Sequence, residues 1–157
     1  MKLFLILSCS LILLSTGACM ENYNDRYYIK DYFVEFEEAT TKGKALGQTY
    51  VLSSQGLSTD EETLRIQINL VGAPLESEQV IHFRVLEDIS TAVQGKDYQL
   101  PEDNAIHFPA NTNIAYLEIN PGNQGSGESL LVLELIGNEL IQPSENYKQL
   151  GISCKYP

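Results

Sequence analysis

The chain has 157 residues, of which 43% are hydrophobic and 20% are charged, a composition typical of a folded globular domain and not of a disordered tail. Its formal net charge is −11, with 21 acidic against 10 basic residues. Because this balance repels phosphate backbones and anionic lipid headgroups, it argues against a nucleic-acid partner and against membrane docking through charge. The acidic excess leaves two interpretations open, plain solubility and cation binding.

The N-terminus has the order of a secretory signal. A basic residue precedes an apolar run from Leu3 to Leu14, and small residues follow up to Cys19. The run is too short to cross a bilayer as a helix and is typical of a cleaved signal. Gly17 and Ala18 directly before a cysteine resemble the lipobox of bacterial lipoproteins, in which Thr16 takes the place of the usual leucine. The resemblance implies cleavage before Cys19 and a diacylglycerol on its thiol.

Cleavage at this point leaves two cysteines and two alternatives. If Cys19 is lipidated, Cys154 is a lone thiol, which we expect to be buried as a small apolar residue. If an ordinary signal peptidase cuts after Ala18 instead, Cys19 and Cys154 can form a disulfide in an oxidising compartment.

The chain divides into three predicted segments. Residues 1–18 are the lipoprotein signal peptide, and the polar, tyrosine-rich residues 19–31 form a tether. Residues 32–157 are long enough for one domain with its own core.

The domain is predicted to consist of strands separated by turns. The clearest alternation runs from Thr63 to Val71, with its apolar residues on one face. The predicted strands are residues 32–36, 48–53, 63–71, 81–85, 106–108, 115–119, 129–136 and 147–154. Loops are predicted at 40–47, 54–62 and 137–145, a glycine-rich hairpin loop at 121–127, and at most one helical turn at 88–93. Together these elements predict an all-β, antiparallel β-sandwich of about eight strands.

Several short motifs between residues 83 and 132 resemble one family in combination. They are Phe83-Arg84-Val85, Glu87-Asp88, Thr91-Ala92, Gly95-Lys96-Asp97-Tyr98, Ile106-His107-Phe108-Pro109-Ala110, Leu117-Glu118-Ile119, and Glu128 before an apolar strand. This segment, roughly a third of the chain, resembles the Calx-beta domain, an immunoglobulin-like β-sandwich. The lipobox, residues 32–36 and residues 146–148 also resemble a group of small Bacteroidetes lipoproteins. That resemblance implies a lipid anchor in the bacterial outer membrane, at the cell surface and beside glycan-uptake proteins.

The Calx-beta resemblance implies calcium ligands at two positions, which Asp88 and Glu128 match. The acidic run that the family carries before its last long strand is replaced here by amides and glycines at 120–127. Because calcium takes about six to eight oxygen ligands, several from carboxylates, Asp88 and Glu128 are an incomplete set and no metal site is predicted. Asp97 lies in a Gly-x-Asp-Tyr turn, where we expect it to accept backbone N–H bonds, with Tyr98 packed beneath it.

The chain shows no set of residues arranged for catalysis. The two histidines, His82 and His107, are predicted to be exposed strand residues. A glycosidase needs two carboxyl groups facing each other across a cleft, and pairs such as Glu35 with Glu37 are not placed so by the sequence. Nucleophile elbows, histidine–cysteine metal spacings and phosphate loops are also missing from the sequence. We therefore predict that the protein is not an enzyme and uses no cofactor.

Two functions remain from the sequence. The first is a non-catalytic, lipid-anchored envelope module that binds a protein partner or a glycan through sheet faces or loops. A glycan would need exposed aromatic rings, and only tyrosines can supply them; the candidates are Tyr116, Tyr50 and Tyr147. The alternative is a calcium-stabilised adhesive domain of the Calx-beta type.

Overall fold

The computed structural model describes residues 31–58 and 63–157, which form two stacked five-stranded sheets and confirm the predicted β-sandwich. The signal peptide, almost all of the tether, Cys19 and the acidic stretch at 59–62 lie outside the described residues. Within those described ranges, no helix is both long enough and apolar enough to span a membrane.

Sheet I has the strand order β5-β7-β3-β1-β9. Its strands are β1 (Tyr32–Phe36), β3 (Leu64–Val71), β5 (Tyr98–Gln99), β7 (Ile114–Pro121) and β9 (Ile141–Pro143). Sheet II has the order β2-β10-β8-β4-β6. Its strands are β2 (Val51–Leu57), β4 (Gln79–Val85), β6 (Ala105–Phe108), β8 (Gly127–Gly137) and β10 (Gln149–Tyr156). Neighbours are antiparallel except at one edge of each sheet, where β9 runs parallel to β1 and β2 runs parallel to β10.

The described residues contain ten strands, two more than the eight predicted. The additional strands β5 and β9 have two and three residues, too few to produce a visible alternation. Strand β9 lies inside the predicted loop 137–145. Strand β2 continues to Leu57, four residues beyond its predicted end. The polar residues 53–55 form a bulge, since all three lie opposite Ile152 of β10, and regular pairing resumes at Gly56.

Two further predictions about connections were incomplete or wrong. A five-residue helix, α1 (Glu37–Thr41), follows β1 directly and is too short to show a helical period in the sequence. The segment 121–127 is not a hairpin loop, because β7 belongs to sheet I and β8 to sheet II. The glycines signal a turn but do not reveal whether the strands on either side pair with each other.

The core lies between the sheets and is built from the alternating strand residues. Leu64, Ile66, Ile68 and Leu70 of β3 are all buried, as the alternation from Thr63 to Val71 predicted. Their partners across the sandwich include fully buried residues of β8 and β10; these are Leu131, Leu133, Leu150, Ile152 and Cys154. This continuous core is the rigid frame that fixes the positions of the outward-facing side chains.

Beyond the end of β4 at Val85, the segment from Leu86 to Ala92 continues alongside strand β8 of sheet II. The backbone N–H groups of Thr91 and Ala92 donate to the carbonyl of Leu130 at 2.8 and 3.0 Å. The segment contains one turn at its start, where Ser90 N–H donates to the carbonyl of Leu86 at 2.9 Å. Val132 is fully buried although it points away from the core, because the Tyr50 ring packs over its partner Gly151 on the same face of the sheet.

Candidate functional site

Two adjoining clefts run along the side of the sandwich, and we call them together the lateral groove. The first has a volume of about 290 Å³ and lies between α1 and the outer face of sheet I. The second has a volume of about 350 Å³ and continues along strand β2 toward Ser153 and Lys155 of β10. Gln55 lines both clefts, so the two adjoin at this residue.

Tyr116 is the aromatic residue of the groove. Its side chain stands on the outer face of β7, directly across from Gln67 of β3, and is 45% exposed. The guanidinium of Arg65 lies 4.3 Å from the centre of the ring, a cation–π contact. Arg65 also pairs with Glu118, with 3.3 Å between Nε and Oε1. Arg65 therefore occupies one face of the ring and holds it in position, and the part of Tyr116 that remains exposed is available for a ligand.

A chain of amide hydrogen bonds orders the floor of the groove. Gln67 donates from Nε2 to Oδ1 of Asn69 at 3.0 Å, and Asn69 donates in turn to the carboxylate of Glu37. Glu37 is the first residue of α1, so this relay links the helix to the middle of sheet I. The side chains that line the groove are therefore oriented before any ligand arrives.

Glu38 forms the boundary between α1 and strand β2. Its carboxylate accepts hydrogen bonds from Ser53 Oγ at 2.5 Å, from the Ser54 N–H at 2.8 Å and from the Ser54 hydroxyl. It also pairs with Lys42 Nζ at 2.5 Å. Burial alone would raise the pKa of Glu38, but these donors outweigh it and lower the pKa to about 2. The group is therefore an ionised hydrogen-bond acceptor at every physiological pH.

Sequence reasoning missed this groove because its members are distant along the chain. Glu38 and Ser54 are separated by 16 positions, and Gln67 and Tyr116 by much more. Of the groove residues only Tyr116 was a predicted candidate, through its outward position on an alternating strand. The other polar residues of the groove, among them Glu37, Glu38 and the two serines of β2, do not form a motif of fixed spacing that could be recognised in the sequence.

The other two candidate tyrosines are less suitable. Tyr50 is buried, because its ring packs over Gly151 on the outer face of sheet II, so the expectation of an accessible ring there is wrong. Tyr147 is 37% exposed and lies just before β10, outside the lateral groove.

Asp97 performs the predicted architectural role. It is buried, and its carboxylate accepts the backbone N–H of Val93 at 2.8 Å, which closes the turn before β5. Tyr98, the next residue, is buried in the core as expected.

The side chain of Tyr156 links this turn to residues 121–127, the crossover segment that leads from sheet I to sheet II. The Tyr156 hydroxyl donates to the backbone carbonyl of Asp97 and accepts the N–H of Gly122 at 3.3 Å. A Cβ added to Gly122 would overlap the carbonyl of Lys96. We call the contacts among Lys96, Asp97, Gly122 and Tyr156 the crossover clamp. The segment that the resemblance associates with calcium ligands therefore serves here as a packing element.

The calcium candidates are both exposed. Asp88 lies in the turn after β4, and Glu128 lies near the start of β8, where it pairs with Lys155 at 3.4 Å. Across residues 31–58 and 63–157, no group of three or more His, Cys, Asp or Glu side chains is placed to hold a metal ion.

Both histidines are exposed on strands of sheet II, as predicted. His107 Nδ1 lies 2.9 Å from Glu78 and its Nε2 lies 3.2 Å from Asp103. These two hydrogen bonds raise the pKa of His107, the bond to Glu78 contributing most.

Cys154 is fully buried, and burial raises the pKa of its thiol to about 11, so it is an unreactive apolar residue at neutral pH. Its burial was predicted, while the alternative disulfide to Cys19 involves a residue outside the described ranges.

Comparisons with known proteins identify the fold. No protein-family model matches the chain, and no curated protein matches it. Among solved structures, it is similar to a crystal structure of CBD12 from CALX1.2, with a TM-score of 0.54 and 9% identity over 79% of this chain. The chain spans 44% of the length of that structure. It is also similar to a crystal structure of the apo form of the Calx CBD1 domain, with a TM-score of 0.51 and 10% identity, over 82% of this chain and 99% of that one. The fold is therefore a Calx-beta-like β-sandwich, and at such low identity the likeness extends to the fold alone.

Proposed function

We propose that the protein is a non-catalytic, lipid-anchored module of the bacterial outer membrane surface that binds a glycan through the lateral groove. The observation that carries the glycan assignment is the setting of Tyr116, an exposed ring surrounded by side chains with hydrogen-bonding groups. The apolar face of a sugar ring packs against an aromatic ring, while its hydroxyl groups need donors and acceptors at the periphery. Gln55, Gln67 and Glu37 supply those groups around Tyr116.

The charges of the groove favour an uncharged glycan. Two carboxylates, Glu37 and Glu38, and two cations, Arg65 and Lys155, line the two clefts and balance each other. The chain as a whole carries a formal charge of −11, which repels sulfated or uronic-acid polymers. A neutral polysaccharide meets no such repulsion and has no charge of its own that must lose its water on binding.

The protonation states in the groove support binding without hydrolysis. A glycosidase needs a carboxylic acid whose pKa is raised toward the working pH, so that it can protonate the leaving oxygen. Glu38 has the opposite property, with a pKa of about 2. Glu35 does have a raised pKa, caused by burial and then by the charge of Glu37, but it does not line the groove.

The anchor rests on the sequence around Cys19. A single acyl chain binds a membrane only reversibly, whereas the diacylglycerol of a lipoprotein gives stable attachment. Replacement of Cys19 by alanine should move the protein from the membrane fraction to the soluble fraction. An intact-mass measurement that shows no added acyl mass on the native protein would contradict the anchor and favour the disulfide alternative.

Binding is tested with defined polysaccharides and a matched pair of proteins. Laminarin, dextran and mannan serve as neutral probes and dextran sulfate as the anionic probe, in affinity electrophoresis of the wild-type domain and of Tyr116→Ala. The proposal predicts that at least one neutral probe retards the wild type at least about fivefold more strongly than the variant, since stacking on one ring contributes about 1–3 kcal/mol by analogy with bases.

Retardation that is equal for the two proteins would contradict the role of Tyr116. Retention by dextran sulfate alone would contradict the neutral-glycan assignment. If no probe binds and an envelope protein cross-links to the wild type but not to Tyr116→Ala, the ligand is a protein partner, and the glycan assignment is wrong.

A further inference from the structure

The bulge in the middle of strand β2 is larger than the common kind. Leu52 pairs with Gly151 and Gly56 pairs with Ser153, so residues 53–55 all lie opposite the single residue Ile152 of β10. Most bulges place two residues opposite one, and the extra residues bend the strand locally. The bulge can form here because β2 is the edge strand of sheet II and has no strand on its other side whose pairing it would disrupt.

The bulge leaves the core intact and changes the position of one side chain. Because two extra residues preserve the alternation of faces, Val51 and Leu57 at the two ends of β2 are both buried in the core. Gln55 has the same parity as these two residues and would point into the core in a regular strand. It is exposed instead, and it lines both clefts of the lateral groove. The bulge therefore moves a polar residue from a core-facing position to the groove.

Glu38 of α1 holds the bulge in shape. Its carboxylate accepts the Ser54 N–H at 2.8 Å and the Ser53 hydroxyl at 2.5 Å. The Gln55 N–H donates to the same Ser53 hydroxyl at 3.1 Å. Two amides of the bulge therefore have side-chain acceptors. Since α1 follows the core strand β1 without a break, these hydrogen bonds connect the bulge to the sandwich.

A primary amide at the junction of the two clefts suits a sugar hydroxyl. The side chain of glutamine carries both an acceptor and a donor group, and a hydroxyl both donates and accepts. The clefts have volumes of about 290 and 350 Å³, each near the lower limit of about 300 Å³ for ligand pockets. A glycan that lies beside Tyr116 in the first cleft and extends into the second passes Gln55, which can hydrogen-bond to it there.

We infer that Gln55 is a specificity-determining residue of the lateral groove, and that Glu38 is the residue that positions it through the bulge. The inference rests on the proposed function, because the ligand is the neutral glycan proposed above. It assigns a hydrogen bond with a sugar hydroxyl to Gln55, whereas Tyr116 supplies the stacking surface.

The first test is affinity electrophoresis in whichever of laminarin, dextran and mannan retards the wild type most. Gln55→Ala should bind about two- to tenfold more weakly, the range expected for one hydrogen bond between uncharged groups. Gln55→Glu should lose binding as well, although its size is nearly the same, because a carboxylate has no N–H to donate. Gln99→Ala is the matched control and should bind like the wild type, since Gln99 is an exposed strand residue outside both clefts.

A double-mutant cycle tests the positioning role of Glu38. If Glu38 acts through Gln55, then Glu38→Ala should weaken binding in the wild-type background and cause no further loss in the Gln55→Ala background. Circular dichroism establishes that each variant is folded. If Glu38→Ala does not fold, Ser53→Ala takes its place in the cycle, because it removes the acceptor of the Gln55 N–H. Fully additive losses would show that the two residues act independently and would overturn the positioning role.

Failure of this inference differs from failure of the proposed function. If no neutral polysaccharide retards the wild type, both are wrong. If the wild type is retarded and Gln55→Ala is retarded equally, only the inference is wrong, and the bulge then serves merely to interrupt the edge of sheet II. Wild-type binding by Gln55→Glu would also overturn the inference, because the amide N–H would not be needed.

Discussion

The crossover clamp and the lateral groove use the same kinds of residue in opposite ways. In the clamp, Asp97 and Tyr156 are buried, and each hydrogen bond that they make is to backbone. In the groove, Tyr116 and Glu37 are accessible, and their neighbours are other polar side chains. A carboxylate or a tyrosine in this fold is therefore structural where it closes a turn, and is accessible to a ligand where it lines the lateral groove.

The largest effect is expected from Gly122→Ala, which breaks the clamp. The added methyl group overlaps the Lys96 carbonyl, so backbone must move, and we expect a loss of about 1–3 kcal/mol in the free energy of unfolding. Urea denaturation measures this loss. Gly43→Ala is the matched control, because nothing lies within 4 Å of its new Cβ and its stability should be nearly unchanged. Equal stability of the two variants would contradict the clamp.

Asp97→Ala should come next in size. The substitution removes the acceptor of the Val93 N–H, but Val93 is exposed and water can replace that acceptor, so we expect a loss of about 0.5–1.5 kcal/mol. Thermal unfolding by calorimetry measures the change. If the clamp and the groove are separate, glycan binding by the folded variant at a temperature well below its Tm should equal that of the wild type. Loss of binding would show that the two regions are coupled.

Acid should reduce the stability that the ionised Glu38 carboxylate contributes at the groove, whereas pH changes near neutrality should not affect it. The pKa of Glu38 is lowered from 4.5 to about 2, so its stabilising contribution is fully present above about pH 4.5 and is lost as the pH falls toward 2. In urea denaturation at pH 5 and pH 2.5, Glu38→Gln should lose less stability between the two values than the wild type does. An equal loss would mean that the donors around Glu38 do not bind its charged form preferentially.

How far the sequence predicts this molecule depends on the range of the interactions. Alternation alone identified β3 and the burial of Leu64 to Leu70, because period two reports a half-buried strand directly. The turn role of Asp97 was also predictable, since its acceptor bond is local. By contrast, β9 and the hydrogen bonds from β2 to Glu38 exist only because residues distant in sequence meet after the sheets have packed. The crossover at 121–127 was mistaken for a hairpin for the same reason.

A smaller pH effect is expected at His107, outside both regions. Its pKa is raised by Glu78 and Asp103, so the stabilisation is present below about pH 6.5 and is lost as the pH rises through the higher, folded-state pKa. The Tm difference between the wild type and His107→Gln should therefore be larger at pH 6 than at pH 9. Because the group is exposed, the effect is small, and a difference that grows with pH would contradict the assignment.

The smallest expected effect is that of calcium. Glu128 is paired with Lys155, and the segment 120–127 offers no carboxylates, so we predict the same Tm in millimolar calcium and in EDTA. A ligand that binds only the folded state must raise its stability. A Tm that rises with calcium would support the calcium-stabilised adhesive domain instead, and loss of that rise in Asp88→Asn or Glu128→Gln would locate the site.

The most direct test of the proposed binding function is an NMR titration of the ¹⁵N-labelled domain with the neutral polysaccharide that binds best. If the lateral groove binds the glycan, the amide shift changes should cluster on β3, β7 and α1, around Arg65, Gln67 and Tyr116, while the amides of Asp97 and Gly122 stay unchanged. Shift changes centred on the crossover clamp, or no changes with any of the neutral probes, would contradict glycan binding in the groove.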